Sequence, residues 1–178
     1  MTALSPATPL SPFHPSYWLT TNRWPLAALT ISALMLAAAH GFQAVGYAPC
    51  HLCLRQREVY WAIITVSAIA LAANRFRPNA RQARTFTLLI GLGFLYGAGL
   101  AAFHAGVEWK FWPGPEICSG GFGTFQAQDL NAALAGPTRV IRCDEAAWRL
   151  LSLSMAGYNA LISLGLALLS GLALRKHS

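Results

Sequence analysis

The residues with the clearest chemistry are four cysteines. Cys50 and Cys53 form a Cys-x-x-Cys pair between two apolar runs, and Cys118 and Cys143 lie in the long polar segment of the chain. A disulfide that closes only two intervening residues gains little loop entropy, so a Cys-x-x-Cys pair is a poor structural staple. It is a good redox couple, because each thiol is always within reach of the other. The first pair therefore favours thiol–disulfide exchange.

Other roles for four thiols remain open at this point. Two structural disulfides would form in an oxidising compartment. A structural zinc site is disfavoured because it would need two close pairs rather than one pair and two cysteines far apart in sequence. A haem-attachment site needs a histidine after the second cysteine, whereas His51 lies between the two.

The surroundings of Cys53 strengthen the redox interpretation. If a helix begins near Cys53, its backbone N–H groups and dipole stabilise a thiolate at that sulfur. Arg57 lies four residues further on the same helical face and adds a positive charge. We therefore expect Cys53 to be the stabilised thiolate and Cys50, which follows Pro49, to be the more accessible thiol. For Arg55 we expect only interfacial anchoring.

The composition predicts a membrane protein. Hydrophobic residues make up 55% of the 178 residues and charged residues 11%, against about 25% charged in globular domains. The net charge of +7 does not indicate nucleic-acid binding, because the basic residues fall between apolar runs and form no stripe with interleaved aromatics. We predict an all-α membrane protein, a bundle of four transmembrane helices with two loops outside the membrane, which are periplasmic loops if the resemblance described below holds. The spans are expected at about 24–47, 54–73, 85–105 and 150–174, and the loops at 48–53 and 106–149.

The basic residues predict the orientation of this bundle. Seven lie near the ends of the spans on one side, with no acidic residue among them: Arg23, Arg75, Arg77, Arg81, Arg84, Arg175 and Lys176. The other six basic residues share the opposite side with all six acidic ones. The positive-inside rule then places both termini in the cytoplasm and both cysteine-bearing loops outside.

Three segments have further features that the sequence predicts. Residues 1–22 are rich in Pro, Ser and Thr and are expected to form a flexible cytoplasmic tail before the single membrane domain of residues 23–178. The triplet at 37–39 resembles a signal-peptidase site, but the basic region before it is weak and the apolar run continues past it. In the long loop, residues 124–134 predict an amphipathic helix that lies flat on the membrane or packs as an ordinary loop helix.

These features together resemble the DsbB family of bacterial inner-membrane proteins. The resemblance covers the four spans, the motif Cys50-His51-Leu52-Cys53 with Arg57, and the separated Cys118 and Cys143. It also covers the stretch from Phe103 to Glu108, the run Cys143-Asp144-Glu145-Ala146-Ala147-Trp148, and Met155 in the fourth span. Arg55 and Gln56 stand where the best-known members have an aromatic and an acidic residue.

The resemblance implies a relay of disulfides. Cys118 and Cys143 would form the outer disulfide, which a reduced periplasmic thiol oxidase, DsbA, attacks at Cys118. The released Cys143 would attack Cys50, and Cys53 would leave as a thiolate beside a membrane quinone. The cofactor would be ubiquinone or menaquinone, and the family pattern implies three residues near it: Arg57, His104 and Met155. The partners implied are a DsbA-like protein, the membrane quinone pool and the lipid bilayer, with no nucleic acid and no metal.

Other classes of function stay open at this stage. A non-enzymatic four-span assembly or interaction protein would keep two constitutive disulfides, and its first pair would never exchange. A metal transporter would need Met, Cys or His ligands in several spans, and only His40, His104, Met35 and Met155 are available. A relay run in reverse resembles the vitamin K epoxide reductases, which place their Cys-x-x-Cys at a late span rather than between the first two.

Overall fold

Four long helices form the bundle. The computed structural model describes residues 15–115, 118 and 142–175. A short helix α1 (Pro15–Trp18) is followed by α2 (Trp24–Ala44), α3 (His51–Phe76), α4 (Ala80–Glu108) and α5 (Met155–Arg175). Within those described residues, α2 to α5 are long and apolar enough to cross a membrane. The prediction of an all-α bundle with four membrane-spanning helices is confirmed.

Local sequence explains where the long helices begin. Pro25 lies in the first turn of α2, where a missing backbone N–H costs nothing. The side chain of Asn79 caps α4 by accepting hydrogen bonds from the backbone N–H groups of Arg81 and Gln82. The hydroxyl of Ser154 accepts from the N–H of Gly157 in the first turn of α5. Each cap satisfies backbone donors that a helix leaves open.

Two helix starts differ from the predicted spans in a way that bears on the site. Helix α3 begins at His51 rather than at residue 54, so Cys53 lies inside its first turn. Helix α5 begins at Met155 rather than at residue 150, because Arg149–Leu150 (β1) and Leu153–Ser154 (β2) pair as a small antiparallel hairpin. Its two turn residues, Leu151 and Ser152, have positive φ angles, as a tight hairpin turn requires.

Two sequence predictions concern segments that are described in part or not at all. Of the tail at 1–22, the structure describes residues 15–22, which contain α1 and the turn that leads to α2. The guanidinium of Arg23 lies 3.7 Å from the ring centre of Tyr17. The predicted helix at 124–134 lies outside the described residues.

The core lies between α2, α3, α4 and α5, with α4 packed against both α3 and α5. Its largest buried side chains include Trp24, Ile90 and Phe94. The indole N–H of Trp24 donates to the Ser170 hydroxyl (2.9 Å), which ties the start of α2 to the end of α5. Leucines point outward along every long helix and stay exposed, as lipid-facing side chains do in a membrane bundle.

Candidate active site

Cys50 and Cys53 lie at the start of α3. Cys50 is the N-cap residue, and its sulfur accepts a hydrogen bond from the backbone N–H of Cys53 (3.3 Å). Both cysteines are free, and an S–H···S hydrogen bond of 2.9 Å joins the two sulfurs. Cys50 is buried, at 5% exposed, whereas Cys53 is only half-buried.

These positions correct two sequence expectations. Cys50 was expected to be the more accessible thiol, and Cys53 to be the sulfur that receives the N–H groups of the helix start. Both expectations are wrong, because α3 begins one turn earlier than predicted and makes Cys50 its cap. The N–H groups and the positive end of the dipole therefore act on the Cys50 sulfur.

A disulfide joins Cys118 and Cys143, whose Cα atoms are 5.1 Å apart. Both cysteines are buried, and they form one cluster with Cys50 and Leu52. The half-buried Cys53 packs against that cluster. The structure thus brings all four cysteines together, one pair as a disulfide and one pair as thiols. This arrangement allows disulfide exchange between the two pairs, since both lie in one cluster and a thiolate attacks a disulfide sulfur within its reach.

Ion pairs hold the segment around Cys143. Asp144, next to Cys143, accepts hydrogen bonds from Arg142 (2.8 and 2.9 Å) and from Lys110 (2.5 Å). The hydrogen bond from Arg142 and then that from Lys110 hold the pKa of the Asp144 carboxyl well below its usual range. Lys110 follows the end of α4, so this cluster ties the segment of Cys143 to the bundle.

A cavity of about 450 Å³ lies beside the thiols. Apolar side chains such as Leu36, Phe42 and Ile162 line most of it. Its polar lining includes Cys50, Cys53, Gln56, Arg57, His104, Glu108 and Asn159. Of these, the two thiols, His104, Gln56 and Asn159 are joined to one another by hydrogen bonds. An apolar cavity with a few convergent polar groups is the usual form of a small-molecule site.

The three predicted cofactor residues all line this cavity, from three different elements. Arg57 comes from α3, His104 from α4 and Met155 from the first turn of α5. The Arg57 guanidinium donates to the side-chain oxygen of Gln43 (2.6 Å) and to the backbone carbonyl of Ala39 (3.0 Å), both on α2. These bonds hold its charge at the cavity wall.

His104 connects the thiols to the interior of the bundle. Its Nε2 atom lies 3.6 Å from the Cys50 sulfur, and its Nδ1 atom lies 2.9 Å from the amide nitrogen of Gln56. Glu108, one turn later on α4, has a carboxylate oxygen 3.8 Å from the same Nε2. The other Glu108 oxygen is buried and has no hydrogen-bond partner within the described residues.

Sequence reasoning missed Gln56, Tyr60, Glu108 and Asn159 as residues of the site. The available signal was their polarity, since each falls within a segment that is otherwise apolar or at its end. Polar residues inside membrane helices face the interior of the bundle and are often functional. Their partners could not be inferred, because Gln56 and Asn159 are far apart in sequence.

Three of these side chains also form a candidate metal-ligand set. The donor atoms of Cys50, Cys53 and His104 all lie within 4.8 Å of one another. However, Gln56 donates a hydrogen bond to Nδ1 of His104. With the amide in this orientation the imidazole proton is on Nε2, the atom that faces the Cys50 sulfur, and that nitrogen acts as a hydrogen-bond donor.

Comparison with known proteins decides the family. Residues 21–173 match the model of the disulfide bond formation protein DsbB family. The chain belongs to the DsbB family. A relative from Nitrosomonas europaea, named disulfide bond formation protein B, is 32% identical over 86% of this chain and 92% of its own length.

Two further relatives are similar to this chain over most of its length. A disulfide bond formation protein B from Methylococcus capsulatus is 32% identical over 82% of this chain and 88% of its own. An uncharacterized protein from Rickettsia prowazekii is 29% identical over 84% of this chain and 85% of its own length. This DsbB-family chain is therefore a multi-pass membrane protein and, in general terms, a disulfide-forming oxidoreductase.

The cap position of Cys50 in this DsbB-family chain predicts how its reactivity depends on pH. The hydrogen bond with Cys53 lowers the pKa of the Cys50 thiol, burial opposes this, and the contact with His104 lowers the pKa further. A lowered pKa keeps the thiolate present until the pH falls through that lower value. Between pH 8 and pH 6, the fraction present as thiolate falls almost a hundredfold for an ordinary thiol of pKa about 8.5. We expect the thiolate fraction of Cys50 to fall only slightly over the same range.

The measurement is the rate of iodoacetamide labelling of Cys50 in the reduced protein at several pH values, read from peptide masses. A peptide of residues 47–57 is the control, since it has the same sequence without the fold that caps α3, buries Cys50 and brings it to His104. Parallel declines of protein and peptide would show that the cap does not stabilise the thiolate.

Proposed function

We propose that this protein is a thiol:quinone oxidoreductase that reoxidises a periplasmic DsbA-like protein. The observation that carries the proposal is one cluster that holds a disulfide, Cys118–Cys143, and a free dithiol, Cys50 and Cys53, with the dithiol lining an apolar cavity. The disulfide can accept electrons from a protein outside the membrane. The dithiol can pass them to a small molecule in the cavity.

The outer exchange begins at Cys118. A thiolate of the reduced partner attacks the Cys118 sulfur, and the bond to Cys143 breaks, so that Cys143 leaves as a thiolate. Cys143 then attacks Cys50 of an oxidised Cys50–Cys53 pair, and Cys53 leaves in turn. The placement of Cys143 and Cys50 in one buried cluster supports this order.

The second half of the exchange restores the outer disulfide. The second partner thiolate attacks its own mixed disulfide, which leaves the partner oxidised and releases Cys118. Cys118 attacks Cys143 in the Cys143–Cys50 bond, and Cys50 departs as the thiolate. Two electrons have then moved from the partner to the Cys50–Cys53 pair. The pairing in the structure, Cys118 with Cys143 and two free inner thiols, corresponds to the end of this sequence.

The cavity fits a quinone, which would be ubiquinone or menaquinone. A quinone needs apolar walls for its ring and tail and donors for its oxygens, and the cavity offers mostly apolar walls with Arg57 and His104 in its lining. The quinone, when bound, accepts the two electrons and two protons that the Cys50–Cys53 dithiol gives up as it closes to a disulfide. Arg57 supplies positive charge at the cavity wall, and Met155 and Ile162 are part of its apolar lining.

The same proposal includes the location of the protein in the bacterial inner membrane. Arg75, Arg77, Arg81 and Arg84 lie around the α3–α4 connection, and Arg175 lies at the end of α5. By the positive-inside rule that end faces the cytoplasm. Both termini are then cytoplasmic, and the four cysteines at the opposite end face the periplasm, where disulfides persist.

Cysteine variants test the division of labour between the two pairs. Cys118→Ser and Cys143→Ser should abolish oxidation of a DsbA-like protein but leave part of the quinone reduction by a small dithiol such as dithiothreitol, because that reagent reaches the inner pair directly. Cys50→Ser and Cys53→Ser should abolish both activities. The measurement is quinone absorbance with each reductant. Equal activity in all four variants would exclude electron transfer through exchange between the two cysteine pairs.

A pair of arginine variants tests the role assigned to the cavity. Arg57→Ala should raise the KM for a soluble quinone roughly tenfold, the loss expected for a hydrogen bond from a charged group. The matched control is Arg55→Ala, since Arg55 is exposed, pairs with Glu58 (2.7 Å) and does not line the cavity. Steady-state kinetics at several quinone concentrations would separate the two. Unchanged quinone kinetics in Arg57→Ala, or the same change in Arg55→Ala, would contradict the assignment.

A further inference from the structure

A line of hydrogen bonds leads from the Cys50 sulfur into the bundle. His104 Nε2 faces that sulfur (3.6 Å), and Gln56 donates its amide N–H to His104 Nδ1 (2.9 Å). Asn159 of α5 donates its amide N–H to the Gln56 carbonyl (2.5 Å). Tyr60, one turn after Gln56 on α3, donates its hydroxyl to the Asn159 carbonyl (2.5 Å). Four side chains from three helices therefore form a continuous relay.

The relay has a direction. The carbonyl oxygen of Asn159 faces the Tyr60 hydroxyl, so its amide nitrogen faces the Gln56 carbonyl. The Gln56 nitrogen then faces Nδ1 of His104, which must accept. A neutral imidazole that accepts at Nδ1 carries its proton on Nε2. Every donor in the relay thus points toward Cys50.

A purely structural network would not need this direction. Inside a membrane bundle, buried amides and hydroxyls need partners because lipid offers none, and donors aligned either way would satisfy that need. When all the donors point toward one sulfur, the network also changes the strength of the hydrogen bond to that sulfur. Successive hydrogen bonds polarise one another, so the last donor in the row, His104 Nε2–H, is strengthened.

We propose that Gln56, Asn159 and Tyr60 are positioning residues that hold the Nε2 proton of His104 toward Cys50 and thereby stabilise the reduced, thiolate form of the Cys50–Cys53 pair. A dithiol whose reduced form is stabilised belongs to a more strongly oxidising couple. The relay therefore sets how readily the inner pair accepts electrons. This inference rests on the proposed function only in treating Cys50 and Cys53 as a redox couple.

Other charges around the pair act with the relay or against it. Glu108 opposes a thiolate at Cys50 by its negative charge, and Arg149 lies close to Glu108, since it donates to the Glu108 backbone carbonyl (3.4 Å). Apart from Cys50 itself, the ionisable groups that line the cavity beside the thiols are Tyr47, Cys53, Arg57, Tyr60, His104, Glu108, Arg142, Glu145 and Tyr158. The test must therefore change the relay without changing any charge.

The first test is the reduction potential of the Cys50–Cys53 pair. The full-length protein in detergent is equilibrated with glutathione buffers, without quinone or partner protein, and the oxidised fraction of each cysteine is read from alkylated peptides. We expect Gln56→Met to shift the equilibrium about tenfold against the reduced pair, or roughly 30 mV toward reducing values. Asn159→Leu should shift it about threefold and Tyr60→Phe less than that, because each lies further from the sulfur.

The control for this series is Ser67→Ala. Ser67 is a fully buried polar residue of the same helix, its hydroxyl has no partner within the described residues, and it lies outside the relay. Its loss should leave the potential unchanged. The proposal is overturned if Gln56→Met and Asn159→Leu leave the potential within twofold of wild type, or if Ser67→Ala shifts it equally.

The second test reads the tautomer directly. Nitrogen-15 NMR of protein labelled at histidine distinguishes a protonated ring nitrogen from an acceptor nitrogen, and His104→Gln assigns the signals. We expect protonated Nε2 and acceptor Nδ1 in wild type, and a mixture of tautomers in Asn159→Leu. Protonated Nδ1 in wild type would contradict the relay.

The two proposals fail in distinguishable ways. If the reduction potential shifts in the variants but the protein does not reduce quinone, the hydrogen-bond relay stands and the proposed function is wrong. If the protein reduces quinone but the potential is the same in all variants, the proposed function stands and the hydrogen-bond relay has no role in setting the potential.

Discussion

The burial of one sulfur, that of Cys50, is the constraint on which the rest of the site depends. It caps α3, contacts His104 of α4 and belongs to one buried cluster with the Cys118–Cys143 disulfide. A thiolate in such a place is stable only if hydrogen bonds replace the water that burial removes. The backbone N–H of Cys53 and the two side chains around Cys50 supply them. The same contacts keep the sulfur beside the disulfide with which it must exchange.

The polar groups of the membrane helices follow from the same requirement. Gln56, Tyr60, Asn159 and Ser163 lie within apolar segments, and the structure joins them in hydrogen bonds across α3 and α5. Arg57 is satisfied by oxygen atoms of α2. Because lipid cannot satisfy these groups, they fix how the helices are turned about their axes. Their rotation in turn directs Cys53, Arg57 and His104 toward one cavity.

Much of this could be predicted from the sequence. Four apolar runs with arginines between them determine the four-helix bundle, and the Cys-x-x-Cys motif with Arg57 locates the reactive end. What could not be predicted depends on single turns and on distant partners. Whether Cys50 or Cys53 caps α3 depends on a three-residue difference in the helix start, and local propensity does not determine helix ends so closely. The bond between Gln56 and Asn159 joins residues of different helices, so only the packed bundle reveals it.

Thiol oxidation coupled to quinone reduction is measured most directly by anaerobic mixing of the oxidised protein with a reduced DsbA-like protein and a soluble quinone. Loss of quinone absorbance and of the partner's thiols would be followed together. We expect one quinone to be consumed for each pair of thiols in wild type, and none in Cys53→Ser. If the partner's thiols stay reduced while the four cysteines of this protein remain paired, the cysteines are structural and the protein is not a thiol:quinone oxidoreductase.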